Sequence, residues 1–169
     1  MVERELSLTK EPESKPLSIY AVDVAWHKKF RDRANEGKVV IKGKERPWQQ
    51  SRQGMAKAFL HMAFADTASG HWKMFVQDIR THSGRHRHQG GIAIYVLEGK
   101  GWTVVDGVRY DWEEGDLILL PIKPKGVEHQ QFNADPGKGC KWLGMIYLPF
   151  REALGAQWDQ VENSPDWKE

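Results

Sequence analysis

Pro124-Lys125-Gly126-Val127-Glu128-His129-Gln130-Gln131-Phe132-Asn133 is the stretch that decides how this chain folds. Its proline and glycine set a turn, and Val127 to Asn133 then reads as a strand that the turn can aim inward. Alternate residues of a strand share a face, so Gln131 and Asn133 lie on the same side as His129. A neutral imidazole offers a lone pair near neutral pH, which makes His129 a candidate metal ligand.

A second segment supplies partners for it. In Gly84-Arg85-His86-Arg87-His88-Gln89-Gly90-Gly91 the two histidines stand two residues apart, so on a strand both rings point to one face. That spacing alone suits a surface pair as well as a metal site. Arg85 and Arg87 alternate with the histidines and are expected on a solvated or interface face.

The surrounding segments are short and strand-like. They run over residues 58–64, 72–79, 92–97, 102–105, 108–112, 117–120, 129–132 and 142–148, each bounded by Gly, Pro or Asp. Asp106-Gly107 is a two-residue hairpin signal. Many short strands with tight turns predict an all-β sandwich or barrel. Upstream, residues 1–17 are charged and aperiodic, which predicts an extended or disordered arm. Residues 20–36 predict a short helix stopped by Gly37, and Val39-Val40-Ile41 a short strand. Residues 151–169 form a tail, with a weak helical pattern from Ala153 to Trp158. The expected division is an arm over 1–54, packing on the barrel or on a partner subunit, a barrel over 55–150, and the tail.

The chain has 169 residues, enough for one domain with a proper core. A net charge of +2 gives no electrostatic case for nucleic acid. The single cysteine, Cys140, cannot form an internal disulfide. The charged opening residues lack the apolar run of a signal peptide, and no apolar run is long enough to span a membrane. The expectation is a cytoplasmic protein.

Taken together, these motifs resemble the cupin superfamily. Its first motif is His-x-His, then Glu four residues on, then Gly seven after that. His86, His88 and Gly99 fit, and Ile92 stands at the Glu position. Its second motif is matched by Gly115 with Pro121, then Pro124, Gly126, His129 and Asn133, with three extra residues between the prolines. Glu114-Gly115-Asp116 and Leu97-Glu98-Gly99 also look like cupin turns. The resemblance covers about residues 70–148. It implies a single-domain jelly-roll barrel, the double-stranded β-helix, with an N-terminal arm and short helical flanks. It also implies one divalent metal ion on His86, His88 and His129, with Fe(II) favoured and Mn, Zn, Ni or Co as alternatives, and a homodimer.

With Ile92 in place of the carboxylate, such a site has three neutral ligands. The ion keeps its full charge and open positions, which favours an anionic, bidentate small-molecule partner. Family members with three histidines include thiol dioxygenases, diketone-cleaving enzymes and gentisate-type ring-cleaving enzymes. The resemblance therefore implies a non-haem Fe(II) dioxygenase cleaving a small aromatic or enolic substrate. The alternatives are a metal-dependent isomerase, lyase or decarboxylase using the ion as a Lewis acid, and a non-catalytic small-molecule-binding cupin. Gln131 is the candidate for contacting substrate or supporting the metal, with a satisfied core amide as the competing role. Gln89 has the wrong parity for ligation, Asn133 suits a turn, and Glu98 a turn beside Gly99. His82 is expected at the surface or behind the ligands, and His27, His61 and His71 in structural roles. Of the eight tryptophans most fill core or dimer contacts, and Trp102 or Trp142 is a candidate pocket wall.

Overall fold

The structure is a computed structural model that describes residues 18–168. The arm expected over residues 1–17 lies outside the described residues.

Helix α1 (Ile19–Glu36) starts where the Ser18 hydroxyl accepts from the Ala21 N–H at 3.3 Å, and it ends at Gly37. It buries no side chain. One residue ties it down: the Arg33 guanidinium donates to the carbonyls of Phe64, Thr67 and Ser69 and to the Thr67 hydroxyl, at 2.7–3.1 Å. Glycine at 37 is required by close approach, since a Cβ there would sit 2.5 Å from the Ala68 nitrogen. The strand expected at Val39–Ile41 does not form. Val39 and Val40 are exposed, and only Lys38 bridges, to Thr67. With no apolar face to bury there, the pairing cannot propagate.

Eleven strands follow: β1 (Gln49–Ser51), β2 (Gly54–Leu60), β3 (Trp72–Asp78), β4 (Arg85–His88), β5 (Ile92–Glu98), β6 (Lys100–Val105), β7 (Val108–Glu113), β8 (Leu117–Leu120), β9 (Val127–Asn133), β10 (Lys141–Tyr147) and β11 (Asp159–Glu162). Among the described residues they form two antiparallel sheets, ordered β1-β2-β3-β10-β5-β8 and β11-β4-β9-β6-β7. This is the two-sheet jelly-roll barrel that the motifs predict. The hairpin at Asp106-Gly107 joins β6 to β7 with both residues at positive φ, 48° and 84°, which matches the strand twist.

The tail differs from its helical expectation. The helix α2 (Leu148–Ala153) lies earlier, and β11 pairs with β4 at the edge of the second sheet. Trp158 thus stands just ahead of a strand. The inward faces of both sheets meet in a core of Ile79, Ile94, Val96, Val105, Trp112, Val127 and their neighbours. No helix of the described residues is long and apolar enough to cross a membrane.

Candidate metal centre

Adjacent antiparallel strands bring the histidines together. His86 on β4 is directly opposite His129 on β9, and His88 lies two residues along the same face. Each ring offers one nitrogen, and the three nitrogens lie within 4.8 Å of one another. Nε2 of His88 is 2.9 Å from Nε2 of His129. The side chains are nearly sealed from solvent, 6%, 2% and 3% exposed.

That burial fixes their charge. It pushes His86 down to about 3, helped by the His88 charge, and His88 down to about 4, helped by the charges of Arg151 and Lys73. His129 is held well below its ordinary value, chiefly by burial and then by His86 and His88. At neutral pH all three imidazoles are neutral, as ligands must be.

The rings are also oriented. The Gly90 N–H donates to Nδ1 of His88 at 2.9 Å, so the proton of the neutral ring sits on Nε2, facing His129. His129 accepts there and carries its own proton on Nδ1, 2.9 Å from the Gln131 side-chain amide. An amide oxygen facing Nδ1 completes this chain, and a half-turn of the Gln131 amide supplies it. The Ser83 hydroxyl, 3.0 Å from the other end of that amide, is then free to donate to the Gly84 carbonyl at 3.1 Å. For His88 to hold a cation at Nε2 as a neutral ligand, its proton would pass to Nδ1 and the Gly90 hydrogen bond would be given up. Nδ1 of His86 is buried with no partner among the described residues. Three buried, neutral nitrogen donors fit a divalent ion, which they could hold together.

Ile92 is 6% exposed and lines the cavity beside His86 and His129. The route differs from the unbroken strand that parity assumes. β4 stops at His88, the chain turns through Gly90 and Gly91 at φ 90° and 69°, and β5 begins in the other sheet. A Cβ on Gly90 would lie 1.9 Å from the Pro121 carbonyl oxygen. The change of sheet, with glycine making it, is what faces Ile92 toward the histidines.

The cavity has a volume of about 480 Å³. Phe75, Ile94, Trp142 and Ile146 give it apolar walls, and Gln77, Gln160 and Lys73 polar ones. Trp142 is the pocket tryptophan; Trp102 instead stacks on Phe132 at 5.1 Å under Arg109. His61 also lines the cavity, and its Nδ1 accepts from the Ala63 N–H at 3.1 Å. His27 lies edge-on to Trp26, and His71 stacks on Phe30. His82 stays behind the cluster, bonded through Nδ1 to Gln130. Asn133 organises a turn, donating to the carbonyls of Ile79, Arg80 and Lys138. Gln89 is buried with its amide oxygen unpartnered among the described residues, and Glu98 pairs with Lys141. Arg85 and Arg87 face outward onto Glu128.

Three residues escaped the sequence reading. Lys73 was legible in principle, because Lys73, Phe75 and Gln77 alternate inward along β3. Arg151 and Trp158 were not, since α2 carries Arg151 and the return of the tail as β11 carries Trp158 toward the cluster. The Trp158 indole stacks on His86 at 4.3 Å and 28°.

The comparisons with known proteins agree with this architecture. The model of the family described as a cupin domain matches residues 74–146. Curated proteins give no match. A cupin-like protein from Thermotoga maritima shares 16% identity over 68% of this chain and 87% of its own, at a TM-score of 0.52. The Streptomyces nucleoside dehydratase Pac13 shares 11% over 76% of this chain and 95% of its own, at 0.56. The polyketide cyclase RemF from Streptomyces resistomycificus shares 16% over 76% and 90%, at 0.55. At these identities the likeness is one of fold. Over residues 74–146 the chain matches the cupin-domain family, and its two-sheet barrel and clustered histidines agree with that match.

Proposed function

We propose that the protein is a mononuclear Fe(II) dioxygenase that cleaves a small aromatic or enolic anion, with His86, His88 and His129 as the metal ligands. The observation that carries this reading is the set of three buried, neutral imidazoles, with no carboxylate of the described residues beside them, opening on an apolar cavity. When bound, Fe(II) supplies a redox-active Lewis acid with positions open to substrate and oxygen. The protein's part is to hold, orient and dry. Ile92, Ile94, Ile146, Phe75 and Trp142 exclude water and pack the substrate's apolar body. Gln131 holds the Nδ1 proton of His129 and so keeps Nε2 directed at the cluster.

A second reading uses the same residues for isomerase, lyase or decarboxylase chemistry without oxygen. Two neighbours in fold, a nucleoside dehydratase and a polyketide cyclase, favour keeping it. Elemental analysis of the purified protein, then oxygen uptake with catechols, gentisate and β-diketones after Fe(II) loading, separates the two. Oxygen uptake with a ring-cleaved product supports the dioxygenase. Bound metal with no uptake on any of them supports the Lewis-acid chemistry. No metal in the wild type, or unchanged metal content in His129→Ala, overturns the ligand assignment.

A further inference from the structure

We propose that Lys73, which lines the cavity, and Arg151, which shares the Trp158 indole with it, form a second anion-binding point at the cavity, so that the substrate carries a carboxylate remote from its metal-chelating end. The proposal rests on the reading above only in taking this cavity as the substrate site.

The geometry is compact. Lys73 points inward from β3, its ammonium 5.3 Å from the Phe75 ring centroid and 5.8 Å from that of Trp158. The Arg151 guanidinium carbon, from the last turn of α2, lies 5.5 Å from the same indole. That indole stacks on His86 at 4.3 Å. Both cations therefore border the indole that itself stacks on a ring of the cluster.

Among the described residues these charges have no answer. Among the described residues neither Lys73 nor Arg151 pairs with a carboxylate, whereas Lys38, Arg46, Arg87, Lys123 and Lys141 all do. No aspartate or glutamate of the described residues lines the cavity. Burial, and then the neighbouring Arg151, hold the Lys73 ammonium below its ordinary pKa. Removing like charges from water without a counter-ion is unfavourable. A divalent ion on neutral histidines adds two more positive charges. A chelating dianion balances those and leaves the Lys73–Arg151 pair unanswered. The planar guanidinium fork suits a carboxylate, and the ammonium adds a point charge beside it. The aromatic and aliphatic walls accept the ring between the two ends.

The test uses metal-free protein, so its outcome does not depend on metal loading or on oxygen chemistry. Benzoate, benzamide and phenyl phosphate are titrated by calorimetry into the wild type, Lys73→Met, Lys73→Arg, Arg151→Gln and Arg109→Gln. Arg109 lies on the outer face beside Asp111 and controls for net charge. Benzoate is expected to bind and benzamide to bind roughly tenfold more weakly or worse, the worth of one charge-assisted hydrogen bond. Lys73→Met and Arg151→Gln should each lose roughly tenfold for benzoate, with Lys73→Arg and Arg109→Gln near wild type. Equal binding of benzoate and benzamide, or benzoate affinity retained in Lys73→Met, overturns the proposal. Clear preference for phenyl phosphate overturns the choice of carboxylate. Benzoate binding in a protein that then takes up no metal would leave the anion point standing and remove the metal reading alone.

Discussion

Replacing Ile92 by glutamate puts a carboxylate where the cavity wall meets His86 and His129, and its cost must depend on whether a cation is present. Without metal the change removes a side chain that is 6% exposed, worth about 1.5–3 kcal/mol of burial. It also leaves a carboxyl group among Ile94, Trp142 and Ile146, worth about 1–3 kcal/mol more if unpaired. A metal-free deficit of about 4 kcal/mol corresponds to a fall in Tm of roughly 8–16 °C for a chain of this size. With a divalent ion bound, the carboxylate becomes a fourth ligand and neutralises part of the charge. A tenfold gain in affinity returns about 1.4 kcal/mol at saturation, or roughly 3–6 °C. The assay is thermal unfolding of both proteins with chelator and with excess Fe(II), Mn(II) or Zn(II), together with competition titration of metal affinity. If the wild type responds to metal while the Ile92→Glu deficit is the same with and without it, Ile92 does not face the ion. The reasoning from the missing glutamate then fails.

Three further outcomes follow from the same geometry. Gln131→Ala removes the partner of Nδ1 on His129 and should weaken metal binding roughly 10–100-fold with the fold retained, whereas Gln131→Glu should keep most of it; competition titration and far-UV dichroism check both. Acid should destabilise the metal-stripped protein, because His86 and His88 stay neutral in the fold but take up protons near 6.5 once unfolded. That stability is complete above pH 6.5 and is lost as pH falls toward about 4 and then about 3. His88 alone accounts for about 2 kcal/mol by pH 4.5, readable as a lower urea midpoint. The Cys140 thiol is fully buried and pushed up to about 12, mainly by burial, so a disulfide reagent should not label it at pH 8 until the protein unfolds.

Much of the barrel could be read from local signals. Strand limits at residues 92–97, 102–105 and 108–112 fell within a residue or two of β5, β6 and β7, because a period of two and an Asp-Gly turn are local properties. The Val39–Ile41 strand failed for the opposite reason. β-branched residues favour a strand only where a face is buried, and these lie in solvent. Parity placed Ile92 in the interior on a premise the chain does not honour, since Gly90 and Gly91 break the strand and carry it to the other sheet.

By itself the sequence determined the barrel, the pairing of His86 with His88 on one face and the absence of a carboxylate at residue 92. Each follows from residue type and spacing along one strand or turn. Only the tertiary structure decided that His129 stands opposite His86, that Gln131 meets the back of His129, and that Trp158 and Arg151 return from the tail to cover the cluster beside Lys73. Those contacts join residues up to 85 positions apart, Lys73 and Trp158. Which distant strands pair is set by the burial of whole faces, which no local pattern records.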